Sequence, residues 1–570
     1  MTPISSVPLS VPLPFLSVPM LFKPAARHLA LRASSVFWQC VPVLKLLLVT
    51  AGLIGLSRSV SAQATPLVSP DARVYRDIDQ LAAAGLIDTL IVGTRPLSER
   101  EILRLLGEAR RNLSRNPRAR AWAERSIATD VARYTRNGNR LYDAIGAEEI
   151  GLGSPFRQIE RDPNGRIDAT INPLAAYGGG RPLVDGSTSN LETAHSAALG
   201  SHLAVSLNPR FTLQFPREGN STSNIRLQTG AVHALFGNVS IEAGRDYEVF
   251  GQSPQGGLLL SENAPPIDMV RIGNDEPFVL PWFLRVAGPI RTSFFVSDLG
   301  AKHQIHPHAR LAGYHITFLP HPQFEIGVEV ADAMGGRGGQ AASFSDRVAD
   351  AIPLIDALFR THSDFEFSNK MAGGDLRWRV PSWRGFEFYF EGDIDDFDYR
   401  RLRSVFLEDG GYIVGTSLSC MMECGRFGVR AEYHQTGIRY YTHNDYPLAK
   451  DGILVGDPLG PRGLGAYVTF DGATAGGSYL SFTSAFEVRS GNQYGSLVTG
   501  PGSTGFHFTQ TANRPGEKRA RELATWVSDS PNGRFSVQLS AGLERVTNSR
   551  FVAGDNRTNW IARTGVVVRP

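Results

Sequence analysis

Residues 1–62 contain no aspartate or glutamate, although the whole chain of 570 residues has 55 acids. The same stretch carries Lys23, Arg27, Arg32, Lys45 and Arg58, so without it the formal charge of +3 becomes −2. That balance excludes the basic bias expected of a nucleic-acid-binding protein. Long hydrophobic runs are also missing. The apolar run Leu46–Leu56 falls short of the about 20 residues a membrane-crossing helix needs, and no other segment could be such a helix. No Gly-x-Ser-x-Gly elbow is present, no P-loop or dinucleotide fingerprint stands in a strand–helix context, and no fixed-period repeat recurs. Cysteine is scarce, at Cys40, Cys420 and Cys424.

The basic, acid-free start followed by a short apolar run reads as a secretory signal. Small residues at Val60-Ser61-Ala62 and Ala62-Gln63-Ala64 predict cleavage near Ala62 or Ala64, removing Cys40. The stretch before Lys45 is long for a signal, which suggests a translation start downstream, at Met20 or Val43. Residues 65–160 then read as a small helical unit, tethered rather than independent. Arg76–Leu86 predicts a helix ending near Gly85. Ser98 followed by Glu99 and Glu101 predicts an N-cap with acids in the first turn, and Pro117 opens a third helix running to Tyr134.

From about residue 165 to 570 the hydrophobic period changes to 2. In Phe386–Asp395 one face is Phe, Phe, Phe, Gly, Ile and the other Glu, Tyr, Glu, Asp, Asp. Arg426–His434, Arg210–Phe215, Phe324–Val330, Asp375–Val380, Arg534–Glu544 and Asn559–Val568 also alternate. Polar faces bearing both charge signs suit a wet lumen, and aromatics near strand ends suit interface girdles. The expected fold is therefore an all-β transmembrane β-barrel, with roughly 400 residues at about 22 per strand giving about 18 antiparallel strands. Ser253–Gly257, Gly335–Gly339, Lys450–Gly465 and Thr499–Gly505 mark loops, and Ser345–Phe359 reads as a helix carried on one. Tyr412–Ser419 and Arg426–His434 alternate on either side of Cys420 and Cys424. On one strand those cysteines would stand about 13 Å apart, so a disulfide between them requires a hairpin.

Candidate chemistry is sparse. Lys302-His303-Gln304-Ile305-His306-Pro307-His308 could gather imidazoles, but with no completing ligand it reads as solvated strand-end histidines. Asp393, Asp395, Asp396 and Asp398 split between two faces and lack calcium-loop spacing, so they read as charges balanced by Arg400, Arg401 and Arg403. No catalytic set, cofactor or metal is expected. Tyr440, Tyr441, His443, Asn444 and Tyr446 form a segment suited to sugars, whose C–H faces pack on aromatic rings and whose hydroxyls pair with polar groups. An interfacial girdle is the other reading of these rings. Arg337, Lys450 and Arg462, in glycine-rich loops, could meet an anionic polymer.

Several stretches, in their order, resemble the Wzi family of capsule assembly proteins. They are Tyr75–Ile87 with Arg95-Pro96-Leu97-Ser98, then Trp282–Pro289, then Leu311–Pro322 running into Phe324–Gly327 and Met334-Gly335-Gly336. Phe367–Trp378 and Tyr446–Gly465 follow. The resemblance covers most of residues 70–570. It implies an outer-membrane barrel of about 18 strands, with a small helical part near the periplasm, that binds surface polysaccharide like a lectin. Its partners would be that polysaccharide, outer-membrane lipid and the barrel assembly machinery. The chain departs from the usual aromatic terminus of such barrels, ending Val568-Arg569-Pro570, with Trp560 in the last strand. A substrate-specific channel and an outer-membrane hydrolase are the alternatives.

Overall fold

A computed structural model describes residues 63–135, 144–153, 158–161, 168–171, 173–181, 183–254, 256–303, 305–339, 368–395, 408–421, 427–441, 443, 445–474, 477–491, 493–498, 506–512, 514–530 and 533–569. The expected signal segment, the helix at Ser345–Phe359, the Thr499–Gly505 loop, Asp396, Asp398, Arg400, Arg401, Arg403, Cys424 and Asn444 lie outside them.

Three helices open the described chain: α1 Arg73–Ala83, α2 Glu99–Arg111 and α3 Arg120–Tyr134. The Ser98 hydroxyl accepts the Glu101 N–H, acids occupy the first turn of α2 and Arg110 and Arg111 its last. These features satisfy an orphan donor and oppose the helix dipole at both ends. The helices meet through Ile78, Leu81, Ile102, Leu105, Leu106 and Ile127, all buried. The hydroxyl of Tyr75 ties the unit together, donating to the Val68 carbonyl at 2.7 Å and accepting the Leu97 N–H at 2.7 Å.

Eighteen antiparallel strands then close into a barrel. They are β1 Ala144–Gly153, β2 Gly186–Leu199, β3 Leu203–Pro216, β4 Thr222–Phe236, β5 Val239–Asp246 and β6 Ile267–Asn274. Next come β7 Pro289–Asp298, β8 Arg310–His321, β9 Phe324–Met334, β10 Ser368–Val380, β11 Phe386–Asp395 and β12 Gly410–Leu418. The last are β13 Phe427–Thr436, β14 Gly463–Ala473, β15 Tyr479–Arg489, β16 Glu517–Asp529, β17 Phe535–Thr547 and β18 Arg557–Val568. β18 pairs back onto β1, from Trp560 opposite Gly153 to Val568 opposite Ile145, so no edge is left open. The barrel therefore begins at Ala144, inside the stretch expected to be helical. The apolar positions Ile145, Ile150 and Leu152 of β1 do not follow a strict two-residue repeat, which hides the strand in the sequence.

The period-2 pattern points outward as a membrane barrel requires. In β11 the residues Glu387, Tyr389, Glu391, Asp393 and Asp395 are buried, while the phenylalanines face out. Large apolar residues such as Phe215, Val328, Phe470, Phe482, Phe486 and Leu543 are exposed around the outside. Among the described residues no helix is long and apolar enough to cross a membrane.

The connections at one end are short, as between β4 and β5 or β8 and β9. The helical unit docks there: Arg73 pairs with Asp529 at 2.8 Å, and Arg76 pairs with Asp471 at 2.8 Å. The Arg76 guanidinium also lies 3.6 Å from the centre of the Tyr479 ring. Cys420, just beyond β12 at this end, is disulfide-bonded. At the opposite end two long connections, 247–266 and 437–462, turn inward. Leu258, Leu259, Leu260, Tyr440, Tyr441 and Leu448 bury themselves inside the barrel against wall residues such as Met371 and Ile413.

Candidate functional site

The lumen is filled from both ends, and the two fillings meet. Thr94–Arg95, from the segment joining α1 to α2, pairs with Val249–Phe250 of the 247–266 connection. Wall carboxylates hold this junction. Glu325 accepts the N–H groups of Val92 at 3.0 Å and Gly93 at 2.8 Å. Glu391 accepts those of Gln252, of Ser253 at 2.7 Å and of Leu258 at 3.3 Å. Arg377 reaches Asp79 at 2.8 Å, Glu387 at 3.3 Å and the Gln252 side chain at 2.9 Å. Arg379 bridges Glu387 and Glu325. Buried charge is tolerated only when paired and hydrogen-bonded, and here the pairing is between wall and insert. Sequence alternation assigns these residues to the polar face; it carries no signal for their partners.

A cavity of about 1270 Å³ remains between the helical unit and the wall, lined in part by Arg76, Asp79, Arg181, Glu192, Arg430 and Tyr479. Its charges are largely paired, as in the Arg181–Glu192 contact at 3.1 Å.

The expected sugar-contacting residues separate into two groups. Tyr440 and Tyr441 point into the interior, with ring centres 4.3 Å apart. The Tyr441 hydroxyl donates to the Leu258 carbonyl and accepts the Asp457 N–H at 2.8 Å. It thereby joins the two inward connections. Tyr446 instead meets the histidine-rich turn after β7, with His443 beside it. The rings of His306 and Tyr446 are 4.9 Å apart and those of His443 and Tyr446 6.0 Å. His303 is buried, donates Nε2–H to the Pro447 carbonyl at 3.0 Å and accepts the His306 N–H at Nδ1. Burial pushes its imidazole below the ordinary histidine range. His308 pairs with Asp298 at 2.8 Å, and Lys450 donates to the Asp298 carbonyl at 3.4 Å. Burial also lowers the Lys450 ammonium.

Arg337 joins this cluster through its backbone. Its N–H donates to the Pro307 carbonyl at 2.8 Å, its carbonyl accepts His306 Nδ1 at 3.3 Å, and the residue as a whole is exposed. Arg462 stands apart, half-buried, with its N–H on the Gly437 carbonyl. His303 and His306 thus converge with Tyr446, Pro447 and Arg337 into one imidazole-rich patch on the long-loop end. Separate segments of sequence cannot announce such a meeting. Tyr446, His443 and His303 are buried in the patch, and its surface offers the half-buried His306 and His308 imidazoles and the exposed Arg337 guanidinium, a set suited to polar or anionic ligands.

A closed antiparallel barrel with an apolar exterior and a charged, filled interior is a β-barrel of the outer-membrane type. The chain belongs to the family described as capsule assembly protein Wzi, which matches residues 159–560. A Klebsiella pneumoniae relative, described as an uncharacterized 55.8 kDa protein in the cps region, is 25% identical over 374 residues. That match covers 63% of this chain and 64% of the relative's length. Among solved structures, Wzi of Escherichia coli, described as an outer-membrane, carbohydrate-binding β-barrel of group 1 capsule assembly, superposes with a TM-score of 0.62. It is 18% identical, and the match covers 88% of this chain and 99% of that one, a likeness of fold. OprD of Pseudomonas aeruginosa matches at a TM-score of 0.39 and 9% identity, covering 76% of this chain and 95% of that one.

Proposed function

We propose that this protein is a non-enzymatic outer-membrane lectin that holds capsular or related polysaccharide at the cell surface. The observation that carries the reading is the filled lumen: segments entering from both ends occupy it, so function falls to the loop face rather than to passage. Membership of the capsule assembly family and the carbohydrate binding described for the E. coli Wzi barrel support it. In this reading the helical unit faces the periplasm, the signal segment is removed near Ala62 or Ala64, and the barrel assembly machinery inserts the strands into lipid. Tyr440, Tyr441 and Tyr446 hold the loops, while Arg337 and the half-buried His306 present the contact patch. Weak contacts repeated along a polymer add through multivalency, so firm retention needs no tight single site.

The test is the partition of polysaccharide. Loss of the protein should lower cell-associated glycan and raise glycan in the medium, with the total roughly unchanged. Arg337→Ala combined with His306→Ala, in a barrel that still inserts, should reproduce that shift. A collapse of the total would place the protein in synthesis or export instead.

A further inference from the structure

Four strands bring a histidine and three carboxylates together on the lumen face. His315 on β8 lies opposite Glu329 on β9, Glu329 opposite Gly373 on β10, and Gly373 opposite Asp393 on β11. Two residues further along, Asp375 on β10 lies opposite Gly327 on β9. Both glycines face the cluster where any side chain would obstruct it. A Cβ on Gly373 would lie 1.5 Å from Asp393 Oδ1, and one on Gly327 would lie 2.1 Å from Asp375 Oδ2 and 2.4 Å from His315 Nε2. The missing side chains let His315 reach Asp375 across Gly327, at 2.8 Å, and let Asp393 lean over Gly373 toward Glu329.

Donor atoms of His315, Glu329 and Asp375 all lie within 4.8 Å of one another. All three residues are buried, with His315 and Glu329 at 0% exposure. Neighbouring lumen carboxylates have partners: Glu325 and Glu387 pair with arginine, and Glu391 accepts backbone N–H groups. Glu329 differs. Neither of its oxygens meets an N–H group, a hydroxyl or a cationic side chain among the described residues. What lies against it is a second carboxylate, Asp393, with the Tyr440 hydroxyl close by. Two buried carboxylates turned toward each other need a proton or a cation between them.

We propose that His315, Glu329, Asp375 and Asp393 form a structural site for a divalent transition-metal ion of the zinc class. One imidazole with three carboxylates is a donor set for such an ion. The outer partners suit the role. His315 Nδ1 is hydrogen-bonded to Thr94 Oγ1 at 2.8 Å, which orients the ring with Nε2 toward the cluster, and Asp375 accepts Gln252 Nε2. Thr94 and Gln252 belong to the two segments that meet inside the lumen. The ion would fasten that junction to the wall.

The site is buried, so metal must be supplied during folding. Full-length protein refolded into detergent with Zn²⁺, then gel-filtered, should carry one zinc per chain by elemental analysis and should unfold in urea at a higher midpoint than protein refolded with chelator. Glu329→Gln with Asp393→Asn, which keeps side-chain volume and removes both charges, should lose the zinc and the midpoint difference while still migrating as a folded, heat-modifiable barrel. Thr94→Val, which leaves all four ligands in place, should weaken retention by about 10–100-fold. Wild-type protein without zinc above the chelator control overturns the proposal. So does equal zinc in wild type and the double variant, which would place the metal on surface histidines. If the double variant does not fold, the wild-type and Thr94→Val measurements decide alone.

Discussion

The barrel wall and the segments that fill it solve opposite problems with similar residues. In the wall strand Phe386–Asp395, alternate residues face lipid and lumen, and each side chain's direction follows from its position. In the inserted connections 247–266 and 437–462, backbone without a long ladder sits at barrel depth, which is possible only where protein satisfies its polar groups. The wall supplies those partners: Glu391 takes N–H groups of the first connection, and Asp395 takes the Tyr441 N–H of the second at 2.9 Å. The wall can stand by its own hydrogen-bond ladder, whereas the inserts depend on the wall. Disturbing the lumen face should therefore release the inserts before it opens the barrel.

The sharpest way to break this comparison is at Arg377, which is 2% exposed and joins Asp79, Glu387 and Gln252. Arg377→Ala should cost about 3–5 kcal/mol, because it takes one partner out of a buried charge network and leaves Glu387 to Arg379. Limited proteolysis should then cut the 247–266 connection while the barrel still migrates as folded. Simultaneous loss of barrel and insert would show that the two are one cooperative unit. On the opposite face, Phe486→Arg should cost about 2–4 kcal/mol of barrel stability in urea titrations from lipid, with the inserts no more protease-sensitive than before.

Tyr441→Phe removes only a hydroxyl, leaving the Leu258 carbonyl and the Asp457 N–H without it. A loss of about 1–3 kcal/mol is expected, visible as faster hydrogen exchange in 437–462 and not in the strands. The smallest effect concerns pH. The His303 imidazole is depressed below the ordinary histidine value by burial, so its contribution is present above about pH 6.5 and is lost as pH falls through the folded value. Protease sensitivity of the turn after β7 should rise on acidification and become pH-independent in His303→Gln. Unchanged pH dependence in that variant would move the effect to another group.

Much of this is legible in the sequence. The N-cap at Ser98, the alternation of Phe386–Asp395 and a closing strand through Asn559–Val568 are local patterns, and β18 indeed runs Arg557–Val568. The first wall strand was missed because Ala144–Gly153 carries little alternation or aromatic content. Tyr440 and Tyr441 were expected to meet ligand on the strength of side-chain chemistry, yet they are buried at 0% and 1% exposure. Aromatic rings with hydroxyls suit a sugar and a buried loop junction equally well, and their chemistry alone does not choose. His303 and His306 read as solvated strand-end residues. They prove to be packing partners of Pro447 and Tyr446, far away in sequence.

The sequence by itself determined the class of structure. A strict two-residue period with charge on one face and aromatics on the other can be buried in only one sense once lipid replaces water outside, and enough such strands must close. Tertiary structure alone decided what occupies the interior. Which connections turn inward, which wall carboxylates meet N–H groups, arginine or each other, and which glycines leave room for them depend on strand register. Register joins residues such as Glu329 and Asp393 that are remote along the chain, and no local pattern encodes it.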